Sequence, residues 1–131
     1  MKWLESLIVA LSMYSKIPVP QIEWNKQNMR YALCWFPAVG VVTGLLVWLW
    51  SLAAGAAGVG TALRAAVFVL IPILVSGGIH LDGLLDTADA LSSWQTRERR
   101  LEILKDSHAG AFAIIVCCSY FLASFAVWTE V

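Results

Sequence analysis

Three aspartates set the first chemical question. Asp82, Asp86 and Asp89 stand at i, i+4 and i+7 within Gly77-Gly78-Ile79-His80-Leu81-Asp82-Gly83-Leu84-Leu85-Asp86-Thr87-Ala88-Asp89. On a helix this spacing places all three on one face. Like charges so placed destabilise a bare helix and call for a compensating cation. Carboxylates are hard oxygen ligands suited to Mg²⁺, which is usually held by one or two of them together with substrate phosphates. The same residues also read as a solvated acidic helix start, because aspartate favours the positive end of the helix dipole. His80 is a hydrogen-bonded structural residue on one reading. On the other it binds phosphate or shuttles a proton beside Asp82, for which an ordinary pKa of ~6.5 is suited. Gly77, Gly78 and Gly83 do not form a P-loop, because the GxxxxGK[ST] pattern is absent. They read as close packing or as backbone room for a ligand. Thr87 is expected to bond its own helix backbone.

A second polar group follows. Thr96 is a suitable N-cap for a helix beginning near Arg97. Arg99 with Glu102, and Glu102 with Lys105, make i, i+3 pairs worth a few tenths of a kcal/mol each. Two readings stand side by side. This is a surface helix lying against the bilayer with its basic residues at lipid headgroups, or Arg99, Arg100 and Lys105 face the aspartates across bound phosphates. Arginine offers a bidentate fork for such oxygens. Lys105-Asp106-Ser107-His108 lies directly before an apolar run, so its polar groups also fall at a membrane edge.

The elements that must position these groups are apolar. Of the 131 residues, 60% are hydrophobic and 14% charged, against roughly 25% charged in a soluble domain. A disordered chain is excluded by the same figures. Nine basic and nine acidic residues cancel, leaving no basic field for nucleic acid. No charge occurs from Tyr31 to Leu63, from Ala65 to Leu81 or from Ala109 to Thr129. A membrane helix needs about 20 such residues to cross ~30 Å of hydrocarbon.

Three spans are therefore predicted, over about 32–54, 64–80 and 109–129. Pro72 should kink the second. Trp35, Trp48 and Trp50 look like interfacial anchors of the first, and Gly40 with Gly44 would let another helix approach closely. The first segment carries Trp3, Leu4, Leu7, Ile8, Leu11 and Tyr14 near i, i+3, i+4 spacing. It reads as an amphipathic helix lying in the interface or packed on the bundle, stopped by Ile17-Pro18-Val19-Pro20. Cys34, Cys117 and Cys118 read as small buried hydrophobes. The fold class is all-α: a polytopic membrane helix bundle of about three spans, an N-terminal amphipathic helix and a helical loop, in a single membrane domain over residues 1–131. All but one of the nine basic residues, Arg64, fall on the side of the N-terminal segment and the 82–108 loop. The positive-inside rule makes that side cytoplasmic, and the aspartates sit at its edge, where a charged nucleotide could reach them.

Two stretches, GGIHLDGLLDTADAL and RERRLEILKDSHAGAF, together with Lys16-Ile17-Pro18-Val19-Pro20, Met29-Arg30-Tyr31 and Trp35-Phe36-Pro37-Ala38-Val39-Gly40, resemble the signature of the cobalamin synthase (adenosylcobinamide-GDP ribazoletransferase) family. That family reads like GGxHxDGLxDTxDG, then RRLEIMKDSRxGxxG. The resemblance runs from residue 3 to about 115. It implies a multi-pass enzyme of the cell (inner or plasma) membrane with its site on the cytoplasmic side, using Mg²⁺. Such an enzyme joins α-ribazole or its phosphate to adenosylcobinamide-GDP and releases GMP. On this resemblance Asp82, Asp86 and Asp89 are expected as metal ligands, with Asp82, Asp89 and His80 catalytic. Arg99, Arg100, Lys105, Asp106 and Ser107 are expected to bind substrate. The expected partners are the two substrates and the lipid bilayer, with self-association or association with other B12-assembly enzymes, and no nucleic acid. Ala90, His108 and Ala113 depart from the family pattern, which has glycine, arginine and glycine there. The family is about twice this length, so the chain is expected to be its N-terminal half.

Competing classes make different demands. A truncated, inactive relative would act only as a membrane binding module. A transporter would place carboxylates near mid-membrane, whereas these lie at a span's end. A CDP-alcohol phosphotransferase would share the membrane-edge Mg²⁺ chemistry but needs DGxxAR, and here Asp82-Gly83 is followed by Leu84-Leu85-Asp86.

Overall fold

The computed structural model describes residues 2–22, 25, 29–106 and 108–131. Ser107, expected to bind substrate, and Lys26 lie outside the described residues. Among those described, every regular element is a helix: α1 (Lys2–Tyr14), a 3₁₀ turn (Leu33–Trp35), α2 (Phe36–Ala56), α3 (Thr61–Ser76), α4 (Ile79–Ser92), α5 (Arg97–Ile103) and α6 (Ala111–Thr129).

α1 packs on the bundle. Val9 and Ala10 bury against Ala32, with Met13, Tyr14 and Trp35 around them. The buried face is not the large apolar stripe, since Trp3 and Leu4 stay exposed while Ser6 is buried. The reason recurs along the chain. Ala54, Ala65, Ala90 and Ala113 are also buried, while Leu45, Leu49, Leu52, Leu70 and Leu122 are exposed. Small residues let helix backbones approach, and large apolar ones gain nothing by leaving a surface that lipid covers. The three cysteines, expected to be buried, are free and half-buried or exposed. They too stand on apolar outer faces.

α2 continues the 3₁₀ turn, and together they form one apolar stretch, Leu33–Ala56. Pro37 falls in the first turn, where its missing N–H costs no hydrogen bond. Gly40 and Gly44 face open space, with nothing within 4 Å of a Cβ added at either. The close helix partner expected for them is not among the described residues.

α3 runs through Pro72 without ending. The sharp bend comes further on, at Gly77 and Gly78, where the chain turns 93° into α4. Both glycines hold positive φ, 64° and 80°, a region costly for other residues. Their N–H groups cap α3 by donating to the carbonyls of Leu74 at 3.3 Å and Ile73 at 2.9 Å. The second span therefore stops at Ser76 rather than near residue 80. α2 and α6 are each long and apolar enough to cross a membrane, and α3 makes a third candidate when counted with the bent α4.

Two aromatic clusters mark the ends of the bundle. At one end the Phe36 ring stands edge-on to Tyr14 at 5.0 Å and to His80 at 5.6 Å, joining α1, α2 and α4. At the other, Trp50 Nε1 donates to the Arg64 carbonyl at 3.1 Å, and the Arg64 guanidinium donates to Ser51 Oγ at 2.9 Å. Arg64 also lies over Phe68, which packs on Trp128 at 4.6 Å. α2, α3 and α6 are thereby pinned at the end that carries Arg64.

Candidate functional site

The glycine turn lays α4 across the end of the bundle, and α4 carries the aspartates. Asp82 stands in its first turn, with its N–H on the Gly78 carbonyl at 2.8 Å. Asp82, Asp86 and Asp89 span about 60° of arc on one helix face. Asp82 is exposed, and Asp86 and Asp89 are half-buried.

Asp82 lines a cleft of about 650 Å³ between α1, α4 and the α3–α4 turn, within the size range of small-molecule sites. Ser12, Lys16, Ser76, Gly77 and Gly78 also line it. Lys16 is held there by its backbone, its N–H donating to the Val75 carbonyl at 2.8 Å. Its methylene stem lies across Gly77, where any Cβ would collide with it. Sequence reasoning singled out the Lys16-Ile17-Pro18-Val19-Pro20 run but gave Lys16 no place at the site. Only the fold brings residue 16 to residue 82.

His80 does not share that cleft. It faces a smaller recess of about 160 Å³ lined by Pro72, Ile73, Leu84 and Tyr120, with its ring against Phe36. Two residues along a helix turn a side chain by about 200°, which separates His80 from Asp82.

Asp89 is engaged at the far end of α4. Its Oδ2 accepts the Gly110 N–H at 2.9 Å, and Gly110 is the N-cap of α6. A carboxylate at that position satisfies a free helix N–H and meets the positive end of the dipole. A Cβ at Gly110 would overlap the Asp89 carboxyl group. Thr87 Oγ1 donates to its own helix at the Gly83 carbonyl, 2.7 Å away, as expected from the sequence.

α5 holds the basic group. Thr96 caps it, with Oγ1 accepting from the Arg99 N–H at 3.5 Å. Arg99 pairs with Glu102 at 2.6 Å, so the guanidinium is turned along its own helix. Glu102 takes this partner rather than both Arg99 and Lys105. Arg100 Nε is buried without a hydrogen-bond partner, while Lys105 is exposed. Asp106 Oδ1 accepts the His108 N–H at 3.0 Å and meets its Nδ1 at 2.7 Å. The His108 side chain, its backbone N–H and its charge, in that order with Arg99 beyond, hold the Asp106 carboxyl below its ordinary value.

Among the described residues no group of three His, Cys, Asp or Glu side chains is placed to hold an ion. The three aspartates share a face without closing a cage. That donor set still fits a hard cation, because Mg²⁺ takes one or two carboxylates and completes its shell with phosphate and water.

The comparisons with known proteins converge. The family model described as Cobalamin-5-phosphate synthase (CobS) matches residues 6–131. A Lachnoclostridium phytofermentans protein named adenosylcobinamide-GDP ribazoletransferase is 56% identical over 125 residues, covering 95% of this chain and 48% of the relative. Proteins of the same name from Listeria monocytogenes, 40% identical over 91% of the chain, and Clostridium botulinum, 32% identical over 92%, are each covered to 48% of their length. The chain spans about half the length of the curated relatives it matches. No solved structure matches it.

Proposed function

Because this chain belongs to the Cobalamin-5-phosphate synthase family, we propose that it carries the cation- and phosphate-binding face of an adenosylcobinamide-GDP ribazoletransferase. The observation that carries the reading is the cleft at the α3–α4 turn, where Asp82 and Lys16 line one cavity. The reaction joins α-ribazole or its phosphate to adenosylcobinamide-GDP. A ribose hydroxyl oxygen bonds to the phosphorus that carries the cobinamide, the bond from that phosphorus to GMP breaks, and the hydroxyl proton leaves to a base.

Such displacements depend mainly on positioning and on stabilising phosphoryl charge. Asp82 and Asp86 are the residues to hold Mg²⁺, which when bound neutralises phosphoryl oxygens of the donor and the departing GMP. Asp89 is the proposed proton acceptor. The Gly110 N–H on its Oδ2 leaves Oδ1 as the oxygen proposed to take the proton. Arg100, with its Nε lacking a partner, and Lys105 supply charge toward donor phosphates, while Arg99 reaches them only by leaving Glu102. Asp106 and Ser107 complete the substrate-binding set. His80, in its own recess, orders α4 against Phe36 and takes part in the chemistry only if substrate bridges the two cavities. The site faces the cytoplasm from a multi-pass position in the cell membrane, in keeping with the excess of basic residues at that end. The CDP-alcohol phosphotransferase and binding-module alternatives gain no support from the named relatives.

The test is GMP release from adenosylcobinamide-GDP by membranes bearing the full-length protein, with α-ribazole or its phosphate as acceptor. Release that requires Mg²⁺ and stops with a chelator supports the reading. No release with either acceptor refutes it.

A further inference from the structure

Lys16 is exposed, but its backbone and stem are held at the cleft. Ser15 Oγ donates to the Leu11 carbonyl at 2.5 Å and accepts the Ile17 N–H at 3.3 Å, so the chain is braced on both sides of residue 16. The Lys16 N–H is spent on Val75. Its stem occupies the space that Gly77 leaves by having no side chain. Gly77 thus serves twice, turning the chain at positive φ and making room for this lysine.

What the brace delivers is an ammonium group. The ion pairs among the described residues are Arg99 with Glu102 and Asp106 with His108, and Lys16 belongs to neither. It and Asp82 line one cleft without pairing. Ser12 adds a hydroxyl group to the same wall, while the Ser76 hydroxyl donates to the Ile73 carbonyl and accepts the Gly78 N–H, each at 3.3 Å. An unpaired lysine with its stem held over Gly77, beside the Ser12 hydroxyl in a cavity that also offers a carboxylate for a cation, matches a phosphate group bound from two sides. Lysine binds phosphate as a point charge with three donors.

We propose that Lys16 is a substrate-binding residue that holds a phosphoryl oxygen in the cleft it shares with Asp82. This rests on the transferase reading above and extends it to the segment that follows α1. The oxygen belongs either to the diphosphate of the donor or to the phosphate of a phosphorylated acceptor.

The experiment is steady-state kinetics of the full-length protein as wild type, Lys16→Met and Lys16→Arg. Methionine keeps the stem over Gly77 and removes the charge, and arginine restores the charge. Lys16→Met is expected to raise KM about tenfold, the scale of one charged hydrogen bond, with Lys16→Arg recovering most of the loss. A rise in donor KM with either acceptor assigns the diphosphate. A rise confined to the phosphorylated acceptor assigns the acceptor phosphate. Inhibition by inorganic pyrophosphate gives a second readout, weakened in Lys16→Met. Wild-type kinetics and wild-type pyrophosphate inhibition in Lys16→Met would overturn the proposal, as would equal losses in Lys16→Met and Lys16→Arg with unchanged KM. A wild type that releases no GMP would instead refute the function on which the proposal rests.

Discussion

Gly110 shows how one missing side chain positions a carboxylate. Asp89 reaches the N–H of the α6 N-cap only because residue 110 has no Cβ. Gly110→Ala is expected to push Asp89 off its bond and destabilise the folded protein by about 1–3 kcal/mol, as overpacking does. Thermal unfolding in detergent checks this, and Asp89→Ala combined with Gly110→Ala should cost less than the sum of the two. Asp106 gives a prediction in pH. Its carboxyl sits below its ordinary value chiefly through the His108 side chain. A lowered carboxylate pKa gives stability that is present above the ordinary value and is lost as pH falls through the lowered one. NMR titration should find the Asp106 midpoint below 3.8, and His108→Ala should move it up. An unmoved midpoint would remove the interaction from the account. The local devices here were legible from sequence: the Thr96 cap, the Thr87 bond to its own helix and the Arg99–Glu102 pair all join residues within four positions. Asp89 with Gly110 and Lys16 with Gly77 were not, because they join residues distant in the chain that only the packed helices bring together.

The elements themselves follow from charge-free length. Both full spans, Leu33–Ala56 and Ala111–Thr129, lie within three residues of where apolar runs place them. The second was drawn too long, to about residue 80, because its charge-free run continues past the glycine pair at which the helix ends. Pro72 removes one hydrogen bond from α3, whereas Gly77 and Gly78 adopt a backbone region that other residues avoid. As a result the 93° turn lays the aspartates across the end of the bundle instead of along a span. The topology makes its own prediction. With Cys34, Cys117 and Cys118 replaced by alanine, Gln95→Cys in the α4–α5 loop should be labelled by an impermeant maleimide only after the cytoplasmic face is opened. Ala57→Cys, between α2 and α3, should be labelled in intact cells. Labelling of Gln95→Cys in intact cells would reverse the orientation.

At the scale of the whole molecule, the packing is that of helices in lipid. Alanine is the commonest buried residue, leucines are outside, and the charged groups are gathered at the ends. The Gly40 and Gly44 face of α2 is open, and the relatives are about twice as long. The cleft, the acidic face of α4 and the basic α5 lie at one end of this bundle, forming the wall on which the proposed transferase site is built. The central claim is that this wall acts on phosphate through Asp82. It is tested most directly by the rate of GMP release from adenosylcobinamide-GDP by the full-length protein carrying Asp82→Asn, with Glu98→Gln, on the exposed face of α5, as control. Losing a charge aimed at the transition state should lower the rate roughly 100-fold or more, while Glu98→Gln stays near wild type. Near-normal turnover of Asp82→Asn at ordinary Mg²⁺ would contradict the account.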